Sequence, residues 1–214
     1  MFSHEELTPP TSSAIIQDIM ALQEAGQATI AYFYFKYGST NKHDLRNALA
    51  SLLTQFSAYS DRYCDILSTA YQAHDNGLYK PSIRVMVTCL KDMLALPDQG
   101  PVYIILDGID QCSNAAPVST ARKEVLDFLE DLVGLRLPNL HICVTSRPEI
   151  DIRTTLEPLV SYSISIQDQN GQKRDIEDYI RAVVYADSNT PMGGWREEDK
   201  EWIIDTLGEK ANGM

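Results

Sequence analysis

Residues 102–110 read Val-Tyr-Ile-Ile-Leu-Asp-Gly-Ile-Asp, and residues 140–147 read Leu-His-Ile-Cys-Val-Thr-Ser-Arg. Each begins with an apolar run that lacks polar alternation, which is typical of a parallel strand covered on both faces of its sheet. Between them, apolar residues recur at helical spacing over residues 119–134, which predicts a helix. Two buried strands joined by a helix predict an α/β fold with a parallel sheet flanked by helices.

The pattern continues on both sides of this unit. Residues 28–37 are rich in β-branched and aromatic side chains and predict another buried strand. Residues 160–166 alternate apolar and polar, so we expect a less buried strand there. The hydroxyl cluster at residues 11–13 is expected to cap the first helix. Helices are predicted over residues 14–25, 45–56, 61–74, 81–96, 174–186 and 196–210.

Composition excludes several functional classes. Lys and Arg total 18 against 30 Asp and Glu, giving a formal net charge of −12. Because nonspecific nucleic-acid binding depends on neutralising phosphates, this balance argues against a nucleic-acid partner. The four cysteines form no C-x-x-C pair, so no zinc site is predicted. No window approaches the ~20 apolar residues of a membrane span, and the first residues lack a secretory-signal pattern. We expect a cytoplasmic protein.

The two strand ends carry residues capable of binding phosphate and metal, and ligands of open parallel sheets bind beyond the carboxyl ends of the strands. Asp107 ends the first apolar run and could supply one oxygen to Mg²⁺, which keeps several waters. Asp110 would lie near an attacking water. Arg147 follows the second run, and its planar guanidinium suits bidentate contact with a phosphate. The competing interpretations are a turn-favouring Asp107 and an Arg147 paired with a surface acid such as Glu149.

Taken together, the two segments resemble the NACHT branch of the STAND P-loop NTPases. The similarity is strongest to the nephrocystin-type N-terminal module of large fungal receptor-like proteins, and Ala31–Phe35, Leu45–Phe56 and Ile176–Ile180 add to it. The resemblance implies a P-loop NTPase-like sheet that binds ATP or GTP with Mg²⁺ and serves signal transduction in innate immunity or nonself recognition. It also implies that Asp107 is the Walker B Mg²⁺ ligand, that Asp110 is catalytic and that Arg147 is a nucleotide sensor.

The family's phosphate-binding loop, G-x-x-x-x-G-K-[ST], has no counterpart in this sequence. Where the resemblance places it, residues 3–10 read Ser-His-Glu-Glu-Leu-Thr-Pro-Pro. That segment has no glycine, its two prolines lack amide protons, and its two glutamates would repel phosphate. Gln111 also stands where the family usually has an acid. We therefore expect a domain that lacks the Walker A loop and the P-loop strand. We expect no cofactor for this chain. It would bind no nucleotide by itself and would contact other protein chains, including full-length STAND proteins.

Two alternatives stay open. The chain could be an excerpt or a mis-started gene model of an active ATP- or GTP-binding NACHT switch, or it could be a pseudo-NTPase scaffold. We expect an irregular N-terminus over residues 1–11, a NACHT-like α/β domain over residues 12–172 and a helical extension over residues 173–214. The absent P-loop strand would lie between the strands near residues 145 and 163. Residues 1–10 could fill that slot, the two strands could close up, or a groove could stay open.

Overall fold

The computed structural model describes residues 10–36, 44–112, 120–165, 170–185 and 195–210. The chain divides into two compact units, Met1–Leu159 and Val160–Met214. The first unit contains the whole described sheet and the second contains two helices. The domain boundaries expected at residues 11 and 172 stay predictions.

Three parallel strands form the described sheet. They are β1 (Thr29–Tyr34), β2 (Val102–Asp107) and β3 (Leu140–Val144), in the order β1-β2-β3. The prediction of an α/β fold with a parallel sheet is therefore confirmed. The expected burial holds for β2, but it is wrong for β3, where His141 is exposed and the other four residues are only partly buried, because no described strand covers its outer edge. β2 lies in the middle of the sheet, and five of its six residues are buried, as a strand with a neighbour on each side requires. Whether the sheet is that of a P-loop NTPase stays a prediction.

Among the described residues, helices occupy the seven ranges that the sequence predicts, with shifted ends, and a short helix at Ile150–Leu156 is present that the sequence analysis does not predict. In the first unit they are α1 (Pro10–Glu24), α2 (Asp44–Tyr59), α3 (Asp61–Ala73), α4 (Ile83–Leu94), α5 (Thr120–Gly134) and α6 (Ile150–Leu156). In the second unit they are α7 (Asn170–Tyr185) and α8 (Glu197–Lys210).

Three helix starts differ from the prediction by two residues or more, namely those of α1, α4 and α7, of which α7 begins at residue 170 and not at 174. α1 begins at Pro10, so residues 11–13 lie inside the helix and do not cap it. Proline favours a first helical position because its missing N–H would have no partner there. α4 begins after Ser82, whose hydroxyl accepts a hydrogen bond from the amide of Val85 at 3.3 Å, and not at Pro81. A capping hydroxyl satisfies a first-turn donor, and this fixes the start.

Apolar side chains cover both faces of the sheet. Ile104 and Leu106 of β2 point into the larger core, which includes buried residues of α2, α4 and α5. Ile105 points to the opposite face, where Ile16 of α1 packs with it. This alternation follows from the two-residue repeat of a strand. The α/β fold thus has helices on each side of one sheet.

The strand predicted over residues 160–166 is wrong in its described part. Residues 160–165 form neither helix nor strand, and Val160, Tyr162 and Ile164 are exposed. An alternating segment becomes a half-buried strand only beside a neighbouring strand, and no described residue pairs with the outer edge of β3. Of the three alternatives for the slot, a closing-up of two strands is not seen among the described residues, because residues 160–165 form no strand. Residues 1–9, which could have filled the slot, lie outside the described ranges.

The second unit is a pair of packed helices. Arg181 of α7 makes two hydrogen bonds to Glu201 of α8, at 2.8 and 3.1 Å. Val184 and Ile204 are buried. Within the described ranges of both units, no helix combines the length and apolar character that crossing a bilayer would require.

Candidate functional site

The carboxyl ends of β2 and β3 are joined beyond the strands themselves. The amide of Thr145 donates to the carbonyl of Leu106 at 3.0 Å, and the amides of Gly108 and Ile109 both donate to the carbonyl of Thr145 at 3.1 Å. Side chains that immediately follow the two strands are therefore brought to one edge, as parallel pairing predicts. This edge is the candidate site.

Asp107 is held in place by a hydroxyl from the neighbouring strand end. Its carboxylate is buried, and Oδ1 accepts a hydrogen bond from the Thr145 hydroxyl at 2.5 Å. The same hydroxyl accepts the amide proton of Gly108 at 2.9 Å. Among the described residues, Oδ2 of Asp107 has no hydrogen-bond partner. A fixed carboxylate with one oxygen left over suits a hard cation such as Mg²⁺.

The metal-binding capacity of this edge is small. The described part of the chain contains no group of three or more His, Cys, Asp or Glu residues that could hold a metal ion. Mg²⁺ at Asp107 would therefore need water and ligand oxygens for its other positions, which is its usual coordination at phosphate sites. The residues present fit a Mg²⁺ ion that arrives with a phosphate.

Asp110 and Arg147 lie in direct contact. Oδ1 of Asp110 accepts the backbone amide proton of Arg147 at 3.1 Å, and Oδ2 lies 3.6 Å from Nε of the Arg147 guanidinium. Oδ2 also accepts a hydrogen bond from the Gln111 side chain at 3.2 Å. The Asp110 side chain is only 7% exposed, whereas that of Arg147 is 80% exposed. Asp110 thus anchors the loop after β3, and the guanidinium faces solvent.

Gly108 makes the turn between the two acids possible. Its φ of 71° lies in the left-handed region, and a short 3₁₀ turn, Ile109–Gln111, follows it. Glycine adopts this conformation without the steric penalty that a Cβ brings. The turn carries Asp110 back toward the loop after β3.

Arg122 near the start of α5 is a site residue that sequence reasoning missed. Its side chain is only 4% exposed, and Nη1 pairs with the carboxylates of Glu149 and Asp151, the latter at 3.2 Å. Nη2 donates to the carbonyls of Asp110 at 2.7 Å and Cys112 at 3.2 Å. Burial alone would lower the pKa of Arg122, but the hydrogen bonds that it donates to the Glu149 and Asp151 carboxylates outweigh burial, and the pKa is raised.

These contacts settle which acid belongs to which arginine. The alternative that Arg147 pairs with Glu149 is wrong, since Glu149 pairs with Arg122 and Arg147 pairs with Asp110. A single arginine amid the apolar positions of a predicted helix was the signal that could have pointed to Arg122. Nothing in the local pattern names its partners, which lie 27 and 29 positions away.

The charge of Asp107 reaches side chains on both neighbouring strands. Burial raises the pKa of the Cys143 thiol on β3, and the nearby Asp107 carboxylate adds to the increase. The pKa of the Tyr34 hydroxyl on β1 is raised by burial, then by Tyr32 and by Asp107. A carboxylate disfavours a second negative charge near it. The edge is therefore suited to a cation.

The fold and the site define a class, namely a parallel α/β domain with an acidic and an arginine residue at adjoining strand ends. The model of the family described as Nephrocystin 3, N-terminal, matches residues 11–147. This range includes the whole described sheet, Asp107, Asp110, Arg122 and Arg147. The match covers more than half of the chain, which therefore belongs to this family. No curated protein and no solved structure matches the chain.

Proposed function

We propose that the domain is a signalling module of the NACHT branch of the STAND P-loop NTPases, and that these 214 residues do not bind or hydrolyse nucleotide by themselves. The observation that supports the relationship is the joined edge of β2 and β3. There Asp107 keeps one carboxylate oxygen without a partner among the described residues, and Arg147, two positions after the Thr145 that binds Asp107, exposes its guanidinium. An acid for Mg²⁺ and an arginine for phosphate are half of a Mg²⁺–nucleotide site.

Each residue of this half-site has a distinct part. Asp107 would hold the Mg²⁺ ion, which neutralises phosphate charge when bound. Arg147 would contact the terminal phosphate, since a guanidinium offers several donors in one plane. Asp110, which accepts the amide proton of Arg147, would keep this arginine in reach and lie on the side of the attacking water.

The other half of such a site is a loop of main-chain amides around the phosphates. Residues 3–10 offer two prolines and two glutamates and no glycine. Losing three charge-assisted hydrogen bonds, each worth ~1.5–3 kcal/mol, would weaken binding by roughly 5–8 kcal/mol, or on the order of 10⁴-fold. At a micromolar nucleotide concentration that fills a complete site, the site of this chain would then stay essentially empty.

A module of this kind would act through protein contacts in the cytoplasm. Its partners would be other protein chains, among them full-length STAND proteins of the fungal nonself-recognition type. The strongly acidic composition is compatible with protein partners and argues against nucleic acid.

Calorimetry on the purified 214-residue chain tests this proposal. MgATP and MgGTP are titrated separately, up to millimolar concentration, and no saturable heat is expected in the micromolar range. A micromolar dissociation constant that disappears in Asp107→Asn would contradict the proposal. Lys123→Met, a change on the exposed face of α5, is the matched control for a nonspecific loss of binding.

The second candidate is an active ATP or GTP switch of which this chain is an excerpt. The observation that favours it is that Asp107, Asp110 and Arg147, all expected from the sequence, lie at one edge. Reading the upstream genomic sequence for an in-frame G-x-x-x-x-G-K-[ST] separates the two candidates. If the motif is there, the longer protein should hydrolyse MgATP or MgGTP, and Asp107→Asn should abolish the activity. If neither nucleotide nor a STAND chain binds, the pseudo-NTPase scaffold is favoured.

A further inference from the structure

Arg122 connects three parts of the chain that are far apart in sequence. It extends from α5 to the main chain that follows β2, where the carbonyls of Asp110 and Cys112 accept its Nη2 protons. Its Nη1 reaches the segment that follows β3, where Glu149 and Asp151 provide carboxylates. One buried guanidinium thus bridges the loop that carries Asp110 and the loop that carries Arg147.

The arrangement has the chemistry of a positioning contact. A planar guanidinium presents donors at fixed angles, so several acceptors held by it are fixed relative to one another. The bonds to charged partners are stronger than neutral ones, and burial leaves little water to replace them. Nε finds no partner among the described residues, so the two terminal nitrogens carry the contacts.

We propose that Arg122 is a positioning residue, which sets the distance between the loop after β2 and the loop after β3 and so keeps Asp110 against Arg147. The consequence for nucleotide rests on the proposed function, but the positioning itself does not. Without Arg122 the Asp110–Arg147 contact would be left with Gly108, Thr145 and the short turn between them as its supports.

Amide hydrogen exchange measured by NMR on the full chain tests the proposal. The reporters are the amides of Arg147, Gly108 and Ile109, which donate between the segments after β2 and β3, a region called the joint below. The reference is the amide of Ile104 in the middle of β2. In Arg122→Met we expect the joint amides to exchange at least about tenfold faster while Ile104 keeps its wild-type rate, since local openings are independent of global unfolding. Arg122→Lys, which keeps the charge but not the fork, should give an intermediate rate.

Lys123→Met is the matched control. Lys123 is the next residue on α5, exposed and paired with Asp127, and its loss should leave all four amide rates unchanged. If Arg122→Met fails to fold, the double variant Glu149→Ala with Asp151→Ala is used instead. It removes the carboxylates that pair with Arg122 and leaves the arginine in place. The same selective acceleration is expected, since both carboxylates are about 40% exposed and their removal releases the Arg122 guanidinium from the segment after β3.

Unchanged rates at the joint in the Arg122 and the double variants would overturn the proposal. So would acceleration that includes Ile104 to the same extent, because Arg122 would then support the whole fold and not the joint. The outcome is independent of nucleotide binding. A calorimetric result that refutes the proposed function leaves the exchange result standing, and the reverse also holds.

Discussion

The Thr145 hydroxyl lies 2.5 Å from Oδ1 of Asp107 and ties that carboxylate to the neighbouring strand end. The hydroxyl also accepts the amide proton of Gly108, so one oxygen serves two groups of the same turn. The acid at the end of β2 is therefore oriented by β3. This cross-strand dependence is the basis of the first prediction.

Thr145→Val should destabilise the protein by about 1–3 kcal/mol, because the buried Asp107 carboxylate loses the hydroxyl that donates to it, while the Gly108 amide keeps only its bond to the Thr145 carbonyl. Thr145→Ser keeps the hydroxyl and should recover most of the loss. The matched control is Thr154→Val, since the Thr154 hydroxyl bonds only within α6 and is exposed. Urea unfolding gives the midpoints. Equal midpoints for Thr145→Val and Thr154→Val would show that the hydroxyl bridge contributes nothing.

Gly108→Ala should be destabilising by about 1–2 kcal/mol, because φ at this residue is 71° and an L side chain is strained there. The added Cβ would also lie 3.2 Å from Cγ of Gln111. Gly134→Ala is the control, since Gly134 closes α5 without positive φ and with open space around its Cβ position. Thermal unfolding should show a lower Tm for the first variant and an equal or higher one for the second. The opposite order would refute the role given to Gly108.

Cys64 should react with iodoacetamide faster than Cys143 at pH 8. The thiolate is the reacting form, Cys64 is exposed, and burial together with Asp107 raises the pKa of the Cys143 thiol. Mass spectrometry of the labelled peptides gives both rates. Asp107→Asn removes one of the two causes and should speed labelling of Cys143 while leaving Cys64 unchanged. A Cys143 rate insensitive to that change would mean that the carboxylate does not act on the thiol.

Tyr185 should ionise late in an alkaline titration. Hydrogen bonds to Glu197, then burial and a bond to Glu201, raise the pKa of its hydroxyl to about 12. The unfolded chain would ionise this tyrosine near pH 10, so the contribution to stability is complete below that pH and declines between about pH 10 and 12. Tyrosinate absorbance of wild type minus Tyr185→Phe isolates the group. A difference curve centred near pH 10 would contradict the hydrogen bonds seen between α7 and α8.

The sequence predicts the strands of the sheet better than the segment at residues 160–165. β2 and β3 are recognisable because each is a short run of mostly apolar residues bounded by turn residues, which is typical of strands in a parallel sheet. The strand predicted at residues 160–165 is wrong because an alternating segment forms a strand only when another strand pairs with it. The local sequence does not show whether such a partner exists. The position of Asp107, Asp110 and Arg147 at one edge could be expected because strand ends converge in parallel sheets, while their roles stay predictions.

Arg122 is missed for a different reason. Its partners follow β3, while its own helix precedes that strand, and local periodicity says nothing about contacts over such separations. An arginine on an apolar helical face indicates only that some acceptor must meet it. Identifying the acceptor required the three-dimensional arrangement, which also corrected the pairing expected for Glu149.

The central position of β2 has a consequence for the resistance of the protein to proteolysis. Both long sides of this strand are occupied by ladder hydrogen bonds, to β1 and to β3. Proteases cleave chain segments that can leave the surface and enter an extended groove, which β2 cannot do while its neighbours remain. Limited digestion should therefore trim peripheral segments first and yield a shortened, folded remnant in which Asp107 is intact.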